Sequence, residues 1–128
     1  MTHAELNAMS ILSLAHVGDA VYELLVRTRL AEGGQTRVVD LHRATVAFVR
    51  APAQARAAAL ILPELSEAER SVYRRGRNSH VNSVPHAASK AEYHAATGLE
   101  AVFGWLWLAG ENGRIRELFE KIAADAGI

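Results

Sequence analysis

Two acidic residues stand in unusually apolar stretches of this 128-residue chain, and they are its strongest candidates for chemistry. Asp19 lies in Leu-Ala-His-Val-Gly-Asp-Ala-Val-Tyr-Glu, residues 14–23, and Glu100 lies in Gly-Leu-Glu-Ala-Val-Phe-Gly-Trp-Leu, residues 98–106. Charged side chains are rarely buried unless they are paired or bind a metal ion. If both acids face one cleft, their oxygen atoms could hold a hard cation such as Mg²⁺. The pattern therefore favours phosphoryl transfer or cleavage of a phosphodiester.

Each acid also has a structural explanation. Asp19 could be a buried acid paired with Arg27 or Arg75. Glu100 could belong to a salt bridge in the core, because a buried carboxylate needs a partner. Glu23 lies one turn after Asp19 on the same helix face, where two like charges repel unless a cation is near. An acid in a glycine-containing apolar helix occurs twice, and this coincidence favours a shared site.

Glycines adjoin both acids. Gly18 precedes Asp19, and Gly98 and Gly104 flank Glu100. A glycine inside a helix costs about 1 kcal/mol relative to alanine. We therefore expect these positions to permit the close approach of another helix or of a ligand phosphate.

A basic segment separates the two acids along the chain. Residues 70–94 hold five arginines and lysines against one glutamate, although the whole chain has a net charge of zero. This asymmetry suits a face that binds a polyanion. A solvated surface, with arginines at a helix C-terminus favoured by the helix dipole, is the alternative. The candidates for contacts to a sugar-phosphate backbone are Arg74, Arg75, Arg77, Asn78 and Lys90.

The elements that position these residues are predicted to be helical throughout, so the predicted fold class is all-α. The predicted helices cover residues 11–31, 40–50, 52–62, 66–78, 89–108 and 115–124. Gly33-Gly34 should end the first helix, Asp40 should cap the second, and Pro52 should begin the third. Ser-x-x-Glu capping boxes open the fourth and fifth helices. Residues 79–88 are expected to form a loop that could bias the choice of cleavage site, and residues 110–113 a turn.

Composition excludes several classes of protein. The chain has no cysteine, which rules out disulfides and thiolate metal sites and fits an intracellular location. No stretch of apolar residues is long enough to span a membrane, and the first residues lack the pattern of a signal peptide. A zinc-protease motif and a phosphate-binding P-loop are also missing from the sequence. We expect one domain over residues 1–128.

The order of these segments resembles a known family. Residues 14–23 resemble the signature segment of ribonuclease III catalytic domains, and residues 98–108 resemble its second motif. Residues 40–43 (Asp-Leu-His-Arg) and 75–78 (Arg-Gly-Arg-Asn) resemble the mini-ribonuclease III branch. The resemblance covers about residues 11–122, which is nearly the whole chain.

The resemblance implies a ribonuclease III endonuclease-domain-like helical bundle that acts as a cytoplasmic homodimer on double-stranded RNA. It implies Mg²⁺-dependent hydrolysis, with Asp19 and Glu100 as catalytic metal ligands. For this branch it implies maturation of precursor large-subunit (23S) ribosomal RNA, and a ribosomal protein on the substrate is a further candidate partner. A separate RNA-binding domain is not expected, so the catalytic dimer must supply the affinity for RNA.

The chain departs from the family pattern at two positions. Full-length ribonuclease III carries further acids where this chain has Ala15 and Thr97. Glu23 could compensate as an added metal ligand or as a supporting group. Two alternatives follow: a catalytically inactive relative that binds structured RNA as a scaffold, and a helical interaction module whose acids form buried salt bridges.

Overall fold

The protein is described here by a computed structural model that covers residues 1–34, 36–79 and 89–128. The described residues fold into helices and contain no strand, which confirms the all-α prediction. The elements are α1 (His3–Ala8), α2 (Ile11–Glu32), α3 (Val38–Val49), α4 (Ala51–Ile61), a 3₁₀ turn (Leu62–Glu64), α5 (Glu67–Asn78), α6 (Lys90–Leu108) and α7 (Asn112–Ala126). Within the described ranges, no helix is long and apolar enough to cross a membrane. The predicted loop lies, except for Ser79, outside the described residues.

Most helix ends follow local sequence signals. The Ser66 hydroxyl accepts a hydrogen bond from the Glu69 backbone N–H, and the Glu69 carboxylate accepts one from Ser66 N–H. The same reciprocal pair opens α6. Pro52 lies in the first turn of α4, where its missing N–H leaves no helical bond unmade. After α2, Gly34 adopts a φ of +93°, a conformation that side chains disfavour. These predicted ends are confirmed.

Two predicted helix ends are wrong, and one helix was not predicted. Asp40 does not cap α3, which begins at Val38 after Arg37. Asp40 lies in the first turn instead, 3.5 Å from Arg37, where the helix dipole stabilises an acid as well. α7 begins at Asn112, inside the predicted turn, because a helix can continue through residues that are also common in turns. α1 was not predicted, although Thr2 opens it with a capping box.

α6 is the central helix of the fold. It packs against α2, α4, α5 and α7. Residues 96–106 of α6 are all buried except Glu100, which is half-buried. The surroundings of Glu100 are therefore the one place along this stretch where the central helix reaches solvent.

Backbone contacts fix how α2 crosses α6. A Cβ atom placed on Gly18 would lie 1.6 Å from the carbonyl oxygen of Glu100. A Cβ atom on Gly104 would lie 1.9 Å from the carbonyl oxygen of Leu14. No side chain can be accommodated at either distance, so the two helices touch through their backbones. Gly76 and Gly98 allow a similar close crossing of α5 and α6, and the expected role of the glycines in close packing is confirmed.

Candidate active site

The α2–α6 crossing brings the two candidate acids together. Gly18 lies against the backbone of Glu100, so the next residue, Asp19, lies beside the Glu100 side chain. The two carboxyl groups are close enough to share a hydrogen bond. Burial, followed by the charge of Asp19 and this hydrogen bond, raises the pKa of Glu100 to about 8. In the metal-free protein Glu100 therefore holds a proton near neutral pH. We call Asp19 and Glu100 the acid pair.

The acid pair lies at the surface of the protomer rather than in its core. Asp19 is exposed, so the prediction that it is buried is wrong, and Glu100 is half-buried. The reason is the face of α2 that meets α6. Gly18 and Tyr22 point into the protein, whereas Asp19 follows Gly18 by about 100° of helical rotation and turns toward solvent. An exposed pair is accessible to a substrate.

Neither acid of the pair has a salt-bridge partner among the described residues, so the alternative of a buried salt bridge fails for that part of the chain. Arg27 pairs with Glu23 at 3.2 Å, one turn along α2. Arg75 donates a hydrogen bond to the carbonyl oxygen of Met9 at 3.4 Å. Among residues 1–34, 36–79 and 89–128, no lysine, arginine or histidine forms an ion pair with the acid pair. Two adjacent carboxylates without a cationic side chain form a region of uncompensated negative potential.

Gln54 is a third polar member of the site that sequence patterns did not single out. Its side chain is 2 % exposed on α4. The amide nitrogen Nε2 donates to the carbonyl oxygen of Val49 at 2.8 Å and to Oε2 of Glu100 at 3.5 Å. The available signal was a lone amide in the alanine-rich stretch 51–59, where nothing else is polar except Arg56.

The positions of the absent family acids lie next to the acid pair but offer it no charge. Ala15 and Thr97 are both buried, and each lies about one turn before one of the acids. The Thr97 hydroxyl donates to the carbonyl oxygen of Tyr93 within its own helix, at 3.1 Å. In the described part of the chain, no group of three or more acids and histidines is placed to hold a metal.

The acid pair nevertheless fits a hard divalent cation. Mg²⁺ prefers oxygen ligands and is often held by one or two carboxylates, with waters and substrate phosphates completing its coordination. The raised pKa of Glu100 shows that this pocket penalises a second negative charge when no cation is present. Binding of a cation would remove that penalty. The two carboxylates are therefore the residues that could hold a metal.

The predicted contact residues for a sugar-phosphate backbone lie on and after α5. Arg70, Arg74 and Arg77 are exposed and, with Leu62, Pro63 and Tyr73, line a cavity of about 350 Å³. We call these three arginines the α5 arginine face. No acid of the described residues forms an ion pair with them. The Arg77 guanidinium lies 5.9 Å from the centre of the Tyr73 ring. Arg70 was not among the predicted contacts, although it lies one turn before Arg74.

The other predicted contact residues have different surroundings. Asn78 ends α5 and Lys90 begins α6, and both are exposed. Arg75 is half-buried and reaches toward Met9, so its guanidinium braces the C-terminal end of α1, just before α2 begins. The α5 arginine face therefore presents guanidinium groups without acidic partners, although Arg70 donates to the Pro63 carbonyl oxygen at 3.1 Å and Arg77 to Oδ1 of Asn78 at 3.4 Å. Arg75 contributes mainly to packing.

Comparison with known proteins agrees with the helical fold. The chain belongs to the ribonuclease III domain family, whose model matches residues 12–111. It is 47% identical over 112 residues to Mini-ribonuclease 3 of Symbiobacterium thermophilum, which covers 88% of this chain and 86% of the relative. Mini-ribonuclease 3 of Streptococcus pneumoniae is 37% identical over 116 residues, which covers 89% of this chain and 91% of the relative. The resemblance to the mini-ribonuclease III branch is confirmed.

A solved structure shows the same fold. The crystal structure of a protein from Fusobacterium nucleatum superposes with a TM-score of 0.85 at 27% sequence identity. The match covers 94% of this chain and 96% of that chain. The arrangement of helices that creates the acid pair is therefore retained in a protein of quite different sequence.

Proposed function

We propose that this protein hydrolyses double-stranded RNA in a Mg²⁺-dependent reaction at the acid pair, Asp19 and Glu100. Family membership makes it an endoribonuclease of the ribonuclease III type. One observation carries the assignment of the site: two carboxylates meet at a solvent-facing helix crossing, and no cationic side chain of the described residues pairs with them. A structural ion pair would need a cationic side chain as partner, whereas a metal site needs carboxylates that no cationic side chain neutralises.

The residues of the chain divide the chemistry between them. A Mg²⁺ ion held by the acid pair would activate a water molecule and neutralise charge on the scissile phosphate. The glycine-mediated crossing fixes the backbone at Asp19 and Glu100, so little backbone reorganisation is needed when the phosphate arrives. The half-burial of Glu100 strengthens its attraction for a cation, because charges interact more strongly where water is partly excluded. Glu23, one turn after Asp19, is proposed as a supporting group of the site, with its carboxylate paired to Arg27 at 3.2 Å.

The α5 arginine face supports RNA as the substrate. Three exposed guanidinium groups without acidic partners suit contacts to phosphates of a duplex, which is recognised by shape and backbone. We propose that Arg74, Arg77, Asn78 and Lys90 position the strands, with Arg70 as an added contact. Arg75 would act indirectly, because its guanidinium contacts protein backbone. Such binding should weaken steeply with salt.

The finer biological role is also part of the proposal, and it rests on the resemblance to the mini-ribonuclease III branch. We propose one catalytic domain that acts as a cytoplasmic homodimer and matures the precursor of 23S ribosomal RNA, with a ribosomal protein on the substrate as a further partner. Exposed apolar side chains are the candidates for an interface between copies, because association removes apolar surface from water. They include Leu12, Leu24, Val38, Val39, Val46 and Trp107.

Cleavage of a long, blunt RNA duplex tests the site. We expect cutting with Mg²⁺, none with EDTA, and a loss of roughly 100-fold or more for Asp19→Asn, because a metal ligand is removed. Asp40→Asn, which neutralises an acid on α3 away from the acid pair, is the matched control and should cut normally. Circular dichroism and duplex binding in EDTA should be unchanged in both variants.

Three results would contradict the proposal. Cleavage by Asp19→Asn at the rate of the unmodified protein would remove the acid pair from the reaction. Tight, salt-sensitive binding of the duplex without any cutting would favour the scaffold alternative, and the buried Ala15 and Thr97 would then explain the lost activity. Unfolding of Asp19→Asn would instead favour a structural role for the acid.

A further inference from the structure

Gln54 is buried beside the acid pair in an orientation that the structure fixes. Its amide nitrogen faces two acceptors, the Val49 carbonyl oxygen at 2.8 Å and Oε2 of Glu100 at 3.5 Å. A backbone carbonyl can only accept a hydrogen bond, so rotating the amide by 180° would set oxygen against oxygen. Both hydrogen atoms of the amide are thus directed, one to the end of α3 and one to Glu100.

The other end of the same amide is unsatisfied. Oε1 of Gln54 is buried and has no hydrogen-bond partner among the described residues. A buried acceptor without a partner carries a free-energy penalty, which an apolar side chain of the same shape would avoid. The bond to the Val49 carbonyl gives the glutamine a structural role at the end of α3, but that role uses only one of the two amide hydrogens. The contact of the amide nitrogen with Glu100 accounts for the second hydrogen.

Glu100 needs such a contact because of its position. Its side chain has several rotatable bonds, and the negative charge of Asp19 repels its carboxylate whenever both groups are ionised. An unrestrained glutamate would rotate away toward solvent, since Glu100 is only half-buried. A donor anchored to the backbone opposes this rotation.

We propose that Gln54 is a positioning residue that holds the carboxylate of Glu100 toward Asp19, so that the acid pair can bind one divalent cation. The anchor is the corner between α3 and α4, where the Val49 carbonyl fixes the amide. This inference rests on the proposed function, because it concerns the cation that the acid pair would hold. It adds α4 to the two helices that build the site.

Gln54→Met tests the proposal, because methionine has a similar length and volume but donates no hydrogen bond. We expect the urea midpoint to stay within about 0.5 M of that of the unmodified protein, since the unsatisfied oxygen is removed together with the bond to Val49. Single-turnover cleavage should fall by roughly 10- to 100-fold, as is typical when the partner of a metal ligand is lost. The Mg²⁺ concentration at half-maximal rate should rise.

A readout without RNA separates positioning from catalysis. Calorimetric titration with Mn²⁺ should show binding by the unmodified protein, roughly 10-fold weaker binding by Gln54→Met, and none by Glu100→Gln. Thr45→Val is the matched control, because Thr45 is also a buried polar residue whose side chain bonds only to backbone, the Leu41 carbonyl at 2.8 Å. Its Mn²⁺ affinity and cleavage rate should not change.

The outcomes distinguish this inference from the proposed function. If the unmodified protein cuts RNA and Gln54→Met cuts equally well with unchanged Mn²⁺ affinity, the positioning role is wrong and the proposed function stands. If Gln54→Met loses activity only because it is much less stable, the positioning role is also wrong, since Gln54 would then be a structural residue. If the unmodified protein neither binds Mn²⁺ nor cuts, the proposed function fails first.

Discussion

Replacing Gly18 with alanine tests the close crossing on which the acid pair depends. The added Cβ atom would lie 1.6 Å from the Glu100 carbonyl oxygen. An ordinary contact between carbon and a carbonyl oxygen is about 3.3 Å, so α2 and α6 would have to separate by about 1.7 Å. No side-chain rotation can relieve this clash, because the opposing atom belongs to the backbone of the central helix.

The energetic consequence can be estimated from two opposing effects. Alanine favours a helix over glycine by about 1 kcal/mol, which would stabilise the variant. A separation of this size weakens many packing contacts along α2 and α6, and we expect a net loss of roughly 3 kcal/mol, the upper end of overpacking effects. With a denaturant slope of about 2 kcal/mol per molar, the urea midpoint should fall by roughly 1.5 M.

The same separation should disable the site in the molecules that still fold. Moving Asp19 away from Glu100 by more than an ångström should lower single-turnover cleavage by roughly 100-fold, because reacting groups tolerate little misplacement. Urea unfolding followed by circular dichroism measures the shift of the urea midpoint. Cleavage of a blunt duplex at saturating protein measures the loss of single-turnover rate. Cleavage is measured under conditions in which the variant remains folded.

Gly113→Ala is the matched control for this substitution. Gly113 lies in the first turn of α7, and a Cβ atom there would meet nothing within 4 Å. Its urea midpoint should stay unchanged or rise by up to about 0.5 M, with normal cleavage. If Gly18→Ala behaved like this control, the helices would not touch at Gly18 and our account of the site's geometry would be refuted.

Two further predictions concern charge. Since the pKa of Glu100 is raised from 4.5 to about 8, the folded metal-free protein holds this proton more tightly than the unfolded chain does. The stability that protonated Glu100 contributes is complete at low pH and is lost as the pH rises toward 8. The urea midpoint measured in EDTA should therefore fall over this pH range. In Glu100→Gln, which has no proton to lose at this position, the urea midpoint should not fall for this reason. On the α5 arginine face, replacing Arg74 and Arg77 with alanine should reduce the salt dependence of duplex binding in EDTA by roughly two phosphate contacts. An unchanged slope of log affinity against log salt would place the RNA elsewhere.

Local sequence signals predicted most of the helices because the groups that end a helix are neighbours in the chain. The capping boxes at Ser66 and Ser89 satisfy backbone N–H groups three residues away, so they act before any tertiary contact forms. The capping box at Thr2 has the same form and opens α1, which was not predicted. Asp40 was misplaced because an acid is favoured both at the N-cap and in the first turn.

The sequence alone also identified the acid pair, since an acid beside a glycine in an apolar helix is unusual and occurs twice. It did not reveal that Asp19 is exposed, because exposure depends on which face of α2 another helix covers. Gln54 was beyond sequence reasoning for a related reason. Its hydrogen bond joins residues 46 positions apart, and only the packing of α4 against α6 brings them together. The sequence determined which residues are chemically capable, and the helix crossings decided which of them meet.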